Sequence, residues 1–77
     1  MKKDKFIEIV GEALERDIDS IDISDKFRDY EEWDSFAVLS LLAVINEEYD
    51  IIIPRLIFEE ISSLIELIVY IEKNKEE

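Results

Sequence analysis

Apolar residues recur at helical spacing near the start of the chain, and charged residues fill most positions between them. One stripe along this segment contains Phe6, Ile9, Val10, Ala13 and Leu14. A spacing of three or four residues places apolar side chains on one helix face, so the pattern predicts a helix from about Lys3 to Glu15. Gly11 costs this helix about 1 kcal/mol against alanine, which indicates a close approach to another helix.

Helical periodicity is lost between residues 17 and 33, where aspartate, serine and isoleucine alternate. A short strand is one interpretation, but no other segment offers it a partner strand. Loops of this length in compact domains are usually functional or disordered. The regular apolar residues favour an ordered loop, and those expected to hold it against the core are Ile18, Ile21, Ile23 and Phe27.

A nearly unbroken apolar run follows and predicts a second helix from about Ser35 to Tyr49. Its best stripe consists of Phe36, Leu39, Leu42, Ala43 and Ile45. Further apolar residues extend around much of the helix, namely Val38, Leu41 and Val44. Such a helix is either buried on several sides or presents an apolar surface to a partner.

Two more helices are predicted after residue 50. Pro54 suits the first turn of a helix, where its missing N–H costs nothing, so a short helix is expected near Arg55 to Glu60. Ser63 and Glu66 have the spacing of a capping box at the start of the last helix. The expected buried stripe of that helix is Leu64, Leu67, Ile68 and Ile71. Residues 73–77 are expected to form a frayed tail.

Together these elements predict an all-α fold, a small four-helix bundle of three longer helices and one short helix with a long first loop. Residues 1–77 are expected to form a single domain, since a chain of 77 residues has room for one core. The longest uncharged apolar run, residues 36–45, is too short to cross a bilayer, and no secretory signal is visible. We therefore expect a cytoplasmic protein without a membrane span.

The residue types that are missing limit the chemistry of the chain. It has no cysteine and no histidine, so it lacks a thiol nucleophile, a zinc-thiolate site and the commonest general base. We therefore expect a protein that is not an enzyme and has no catalytic residues of its own. A net charge of −12 repels nucleic acid and anionic membranes and favours basic protein partners. Acidity that serves only solubility is the alternative.

Acidic residues in two places suggest metal binding, but neither place has the required pattern. An EF-hand loop that starts at Asp17 needs oxygen ligands at its fifth and twelfth positions and glycine at its sixth. The fifth position is Ile21, the sixth is Asp22 and the twelfth is Arg28. The acidic residues at the end of the second helix are better explained as solvated charge, namely Glu47, Glu48 and Asp50. We expect no metal site.

Asp34 and Ser35 lie at the start of the second predicted helix and leave two interpretations open. Both residue types favour the N-cap, where a side-chain oxygen accepts a hydrogen bond from the backbone. A serine at a helix N-terminus is also well placed to carry a phosphate, because free N–H groups and the helix dipole stabilise an anion. A phosphodiester there needs no histidine or metal from the chain.

Several short motifs occur in a fixed order along the chain. Asp34–Ser35–Phe36 follows Trp33, and Phe27 lies eight residues before the serine. The second helix leads into EEYDIIIP, and the last helix opens as ISSLIELIVYI. In this order and spacing the chain resembles the acyl carrier protein family over nearly its whole length, in particular standalone members with a Trp-Asp-Ser signature.

The resemblance implies that a phosphopantetheinyl transferase attaches 4′-phosphopantetheine to Ser35 and that Asp34 assists its recognition. The thiol of this arm would hold an acyl or aminoacyl group as a thioester for fatty acid or secondary metabolite biosynthesis. A loading ligase and a downstream acyltransferase or synthase would be further partners of a monomeric carrier. The implied acyl pocket contains Leu39, Leu42, Ile57, Ile61, Leu64 and Ile68. The implied partner surface contains Trp33, Phe36, Ala37, Ser40, Glu47 and Glu48.

Three features depart from the fatty-acid carriers of this family. Phe36 replaces a leucine, Ala37 and Ser40 occupy positions that are acidic there, and RLIF replaces an acidic segment after the proline. The surface near Ser35 is therefore expected to be more apolar, which favours a dedicated ligase or transferase and a short acyl or aminoacyl cargo. The alternative function is an unmodified acidic helical interaction module in which Ser35 is only a helix cap.

Overall fold

The computed structural model describes residues 2–75, and every regular element within them is helical. The four α-helices are α1 Lys3–Leu14, α2 Ser35–Tyr49, α3 Arg55–Phe58 and α4 Leu64–Asn74. The predicted bundle of three longer helices and one short helix is therefore confirmed. No helix within residues 2–75 has the length and apolar character needed to span a membrane.

The last helix continues further than the sequence predicts. α4 includes Lys73 and Asn74, so these two residues are not part of the frayed tail that was expected over residues 73–77. Residues 1, 76 and 77 of the predicted domain lie outside the described residues.

α1 buries the apolar stripe that its sequence pattern predicts, except that Ala13 is only partly buried. Its buried residues are Phe6, Ile9, Val10, Gly11 and Leu14. A Cβ atom at Gly11 would lie 2.8 Å from Cγ2 of Ile18 and 2.9 Å from the carbonyl oxygen of Arg16. Ile18 belongs to a 3-10 turn of the following loop. The close neighbour of Gly11 is therefore this turn and not one of the longer helices.

The segment between α1 and α2 is an ordered loop, as its regular apolar residues predict. It contains two 3-10 turns, the second of them at Phe27–Asp29. Ile21 and Phe27 are buried, and Ile23 is partly buried against the core. The predicted core contact is wrong for Ile18, which is half-exposed and lies against Gly11 of α1.

α2 has the predicted bounds but buries a different face. Its buried residues are Ala37, Leu41 and Ile45, and only the last of these belongs to the predicted stripe. Phe36 and Leu39 were expected inside but are 75 % and 59 % exposed. The other two predicted residues are a partly buried and an exposed one, Leu42 and Ala43. Periodicity identifies a face only where the other faces are polar, and contact with α1 selects the face here.

Three aromatic rings join the loop to α3. The ring centroids of Phe27 and Trp33 lie 4.9 Å apart, those of Phe27 and Phe58 5.8 Å, and those of Trp33 and Phe58 6.2 Å. Phe27 and Phe58 are fully buried, and Trp33 is half-buried against the core. Aromatic pairs of this kind contribute about 0.5–1.5 kcal/mol each beyond the area that they bury. This aromatic cluster fixes the end of the loop, and with it the start of α2, against α3.

α3 and α4 begin as the sequence predicts, although α3 ends at Phe58, two residues earlier than expected. Pro54 directly precedes the first residue of α3. At α4 the Ser63 hydroxyl accepts a hydrogen bond from Glu66 N–H at 3.3 Å. The Glu66 carboxylate accepts one from Ser62 N–H at 2.9 Å, one residue away from the ideal capping box. The predicted stripe of α4 is buried throughout, at Leu64, Leu67, Ile68 and Ile71.

Replacing Gly11 with alanine is expected to lower the free energy of unfolding by about 1 kcal/mol. Overpacking a filled site costs roughly 1–3 kcal/mol. The higher helix propensity of alanine offsets only about 1 kcal/mol of this cost. One of the two close atoms is the backbone carbonyl of Arg16, which cannot rotate away as a side chain can. Urea denaturation followed by circular dichroism measures the change.

Glu12→Ala is the matched control, because Glu12 is the exposed neighbour of Gly11 on the same helix. Its free energy of unfolding should stay within about 0.5 kcal/mol of the wild-type value. A Gly11→Ala protein that is at least as stable as wild type would contradict the close approach.

Candidate functional site

Asp34 and Ser35 divide the two roles predicted for the start of α2. Asp34 is the N-cap residue, and its Oδ1 accepts a hydrogen bond from Ala37 N–H at 2.8 Å. Its carbonyl oxygen accepts a helical hydrogen bond from Val38 N–H at 3.1 Å. Ser35 is the first helical residue and is exposed, and its hydroxyl has no hydrogen-bond partner within residues 2–75. The side chain that caps α2 is therefore the aspartate, and the serine hydroxyl is free.

The N-terminus of α2 favours an anion at Ser35. The first N–H groups of a helix have no acceptor within the helix, and Asp34 satisfies only that of Ala37. The N–H groups of Ser35 and Phe36 remain at the positive end of the helix dipole. A negatively charged group on the serine is stabilised by both.

Within the described part of the chain, Ser35 has no histidine, cysteine or metal cluster beside it to activate its hydroxyl. Histidine and cysteine are absent from the sequence. No three acidic side chains within residues 2–75 are arranged to hold a metal ion. A serine hydroxyl is a weak nucleophile until a base or a metal activates it.

A network of polar side chains fixes the residues that precede Ser35. Arg16 donates from Nη1 to Oε1 of Glu32 at 2.8 Å, and its guanidinium lies 4.0 Å from the ring centre of Tyr30. The Tyr30 hydroxyl donates to Oδ2 of Asp25 at 2.6 Å. Because Arg16 lies two residues after the last residue of α1, the network connects the segment before Ser35 to the end of that helix.

Two pKa shifts reflect this network. Burial, and then the hydrogen bond to Asp25, raises the pKa of Tyr30 well above its ordinary value, so the hydroxyl remains a donor. A hydrogen bond from its own backbone N–H lowers the pKa of Glu32. Desolvation opposes this shift, and Arg16 lowers the pKa further. Glu32 is thus held as a carboxylate three residues before Ser35.

Exposed apolar side chains follow Ser35 on α2 and also occur on α3. Phe36 and Leu39 project from α2, and Leu56 projects from α3; all three are largely exposed. The aromatic cluster places the end of α3 beside Trp33, two residues before Ser35. Exposed apolar groups near one another typically mark a binding surface.

The four expected partner residues nearest Ser35 lie in different environments. Phe36 is exposed, whereas Ser40 is partly buried. Trp33 is half-buried in the aromatic cluster and presents only part of its ring. Ala37 is 6 % exposed and lies on the buried face of α2, so it offers little surface to a partner.

The two acidic residues of the expected partner surface lie at the other end of α2. Glu47 and Glu48 are exposed, about 18 Å from Ser35 along the helix axis at 1.5 Å per residue. The Glu48 carboxylate pairs with Lys5 Nζ of α1 at 3.7 Å. An enzyme that reaches both ends must therefore cover most of the helix.

The six residues of the implied acyl pocket are also divided. Three are buried in the core, namely Ile61, Leu64 and Ile68. The other three are partly or largely exposed, namely Leu39, Leu42 and Ile57. A pocket that used all six would require the core to open.

A depression of about 260 Å³ lies on the other side of α2, beside Asp34 and Phe36. Ala13 and Leu14 of α1 line its apolar part, and Glu32 lies at its edge among the acidic groups. None of the six implied pocket residues lines it. Sequence analysis missed this depression because it forms between three separate segments.

Leu56 is the exposed residue near the site that sequence analysis did not assign. A signal for it was present, because a single helical turn of sequence RLIF cannot turn every apolar residue inward. Phe58 occupies the buried position in α3, which leaves Leu56 in solvent.

Comparison with known proteins links the chain to one family. A family model described as phosphopantetheine attachment site matches residues 4–71. The matched range includes Asp34, Ser35 and the whole of the aromatic cluster. No curated protein and no solved structure matches the chain.

Asp34→Ala is expected to lower the free energy of unfolding by about 1 kcal/mol, since loss of an N-cap side chain costs roughly 0.5–2 kcal/mol. Asp34→Asn retains an oxygen acceptor for Ala37 N–H and should stay within about 0.5 kcal/mol of wild type. Ser35→Ala should also change stability little, because the serine does not cap the helix. Thermal and urea denaturation report all three. An equal loss for Ser35→Ala and Asp34→Ala would refute the cap assignment.

Proposed function

The chain belongs to the family of phosphopantetheine attachment domains, and on this premise we propose that Ser35 is the residue that bears the arm. The protein is a phosphopantetheine carrier, and its cofactor is 4′-phosphopantetheine. The observation that supports Ser35 is its exposed, unpartnered hydroxyl at the first position of α2, while Asp34 caps the helix. The free N–H groups of this helix end also suit a phosphodiester there.

Attachment of the arm is a phosphoryl transfer from coenzyme A. The Ser35 hydroxyl oxygen bonds to the phosphorus that carries pantetheine, and the pyrophosphate P–O bond of coenzyme A breaks. Adenosine 3′,5′-bisphosphate leaves, and the serine proton passes to a base of the transferase. Asp34 assists recognition through the carboxylate oxygen that the cap does not use, since Oδ1 is bound to Ala37 N–H.

The carrier holds an acyl or aminoacyl group as a thioester on the thiol of the bound arm. No cysteine or histidine of the chain competes with that thiol or attacks the thioester. Carrier domains of this family are not catalysts themselves, so loading and transfer belong to a ligase and to an acyltransferase or synthase. A monomer in the cytoplasm, acting in fatty acid or secondary metabolite biosynthesis, stays a prediction.

A short cargo is favoured over a long acyl chain. Ile61, Leu64 and Ile68 are packed in the core with little or no exposure. Displacing such side chains to make a deep pocket forfeits their packing, at about 25 cal/mol for each Å² of apolar surface returned to water. A short acyl or aminoacyl group can remain near the exposed Leu39 and Ile57 instead.

Partner enzymes are expected to bind an apolar surface next to Ser35. Phe36 and Leu39 on α2 and Leu56 on α3 supply it, where fatty-acid carriers have acidic residues on the same two helices. Glu47, at the far end of α2, adds negative charge. The partner surface that fits is therefore apolar opposite the serine and basic only towards the end of α2.

Incubation with coenzyme A, magnesium and a permissive phosphopantetheinyl transferase is expected to add one arm to the wild-type protein and none to Ser35→Ala. Intact-mass spectrometry measures the gain. Ser40→Ala is the matched control on the same helix and should gain the arm as wild type does. An equal gain on Ser35→Ala would refute the assignment. If neither wild type nor Ser40→Ala gains the arm, the result would favour an unmodified interaction module.

Phe36→Gln is expected to lower kcat/KM for arm transfer about tenfold, chiefly through KM. Burying a phenylalanine side chain against a partner contributes about 1.5–3 kcal/mol, and about 1.4 kcal/mol corresponds to a factor of ten. Ile52→Gln is the matched control, because Ile52 is 81 % exposed but follows the far end of α2. Equal losses for the two variants would show that general apolarity, and not this surface, matters.

A further inference from the structure

α3 has too little internal structure to hold its own shape. It contains four residues, Arg55–Phe58, and an isolated helix of one turn is unstable in water. Its main anchor in the core is the buried ring of Phe58. Yet α3 presents the exposed Leu56 and Ile57 to solvent. Its order therefore depends on contacts from elsewhere in the chain.

Arg28 supplies such contacts from the loop. Its Nε donates to the carbonyl oxygen of Ile61 at 3.1 Å, and its Nη2 donates to the carbonyl oxygen of Phe58. Phe58 ends α3 and Ile61 lies in the turn after it, where a helix leaves carbonyl groups without a full set of donors. The Phe58 carbonyl also accepts from the Ile61 N–H at 3.0 Å. A guanidinium satisfies both carbonyls with charge-assisted hydrogen bonds in a fixed geometry.

The same guanidinium covers the aromatic cluster. Its central carbon lies 5.0 Å from the ring centre of Phe58, 5.3 Å from that of Phe27 and 5.9 Å from that of Trp33. Cations at these distances from aromatic faces are attracted by about 0.5–2 kcal/mol. One side chain therefore contacts both the end of α3 and the indole two residues before Ser35.

We propose that Arg28 is a positioning residue that couples the order of α3 to the placement of the segment presenting Ser35. With Arg28 in place, the two apolar parts of the partner surface, on α2 and on α3, are held relative to each other. Without it, the Ile61 carbonyl loses this donor, the Phe58 carbonyl keeps only the Ile61 N–H, and α3 is released. The coupling itself needs no arm on the protein; its effect on arm attachment rests on the proposed function.

The test compares Arg28→Met, Arg28→Lys and the control Arg55→Met in the unmodified full chain. Methionine keeps an apolar side chain over the rings without the donors, whereas lysine keeps the charge but cannot reproduce the two-pronged contact. Arg55 is an exposed arginine of α3 itself. Amide hydrogen exchange is measured at residues 59–61 and in the middle of α2, and Trp33, the single tryptophan, reports by its fluorescence emission.

Arg28→Met should speed exchange at residues 59–61 at least about tenfold, matching the loss of charge-assisted hydrogen bonds, and should shift Trp33 emission to the red. Amides of α2 should stay slow, Arg28→Lys should fall between Arg28→Met and wild type, and Arg55→Met should match wild type. The proposal is overturned if α2 amides accelerate as much as residues 59–61. It is also overturned if Trp33 emission and exchange at residues 59–61 do not change together.

Arm-transfer kinetics then separate this proposal from the proposed function. If wild type accepts the arm, Arg28→Met should raise KM while leaving kcat unchanged, because the transferase meets a less ordered surface around an intact serine. A change in kcat alone would overturn the positioning role. A wild type that accepts no arm refutes the function of Ser35 but leaves the exchange and fluorescence results as the decisive test of the coupling.

Discussion

The contact among the rings of Phe27, Trp33 and Phe58 holds together the two parts of the chain with the least regular structure. One part is the loop between α1 and α2, and the other is the single turn of α3. Neither has a ladder of backbone hydrogen bonds to fix it, so side-chain packing must do so. Because Trp33 belongs to this cluster, the residues that begin α2 have a fixed position. Arg28 donates hydrogen bonds to the last carbonyl of α3 and to that of Ile61 in the turn after it.

At the start of α2, the residue that caps the helix and the residue with a free hydroxyl are adjacent but different. A carboxylate oxygen of Asp34 accepts the capping hydrogen bond, so the helix begins at a defined residue without a contribution from the Ser35 side chain. The serine is left with a free hydroxyl beside unsatisfied N–H groups. A serine that capped the helix itself would have its oxygen occupied and would have to break that contact in order to react. If Ser35 bears the arm, as proposed, helix capping and attachment use separate side chains.

How much could be predicted from the sequence depended on whether polar residues outlined each element. The start and the buried face of α4 were predicted correctly, because Ser63 marks its start and its apolar residues recur on one face. The bounds of α2 were equally clear, but its buried face was not, since nearly every position is apolar and contact with α1 decides. The assignment of the arm to Ser35 rests on its motif and stays a prediction. The bonds of Arg28 were not predictable, because they join residues 30 and 33 positions apart and no local pattern records them.

The loop between α1 and α2 is long, yet its anchors are evenly spaced. Ile21, Phe27 and Trp33 follow one another at intervals of six residues, and each packs into or against the core. A protease must draw an extended stretch of chain into its active site, and exposed loop tips are its usual targets. Between these anchors too little chain is free to be drawn out. The segment that leads to Ser35 can therefore remain uncut in a cell, although it contains no strand and no helix longer than one turn.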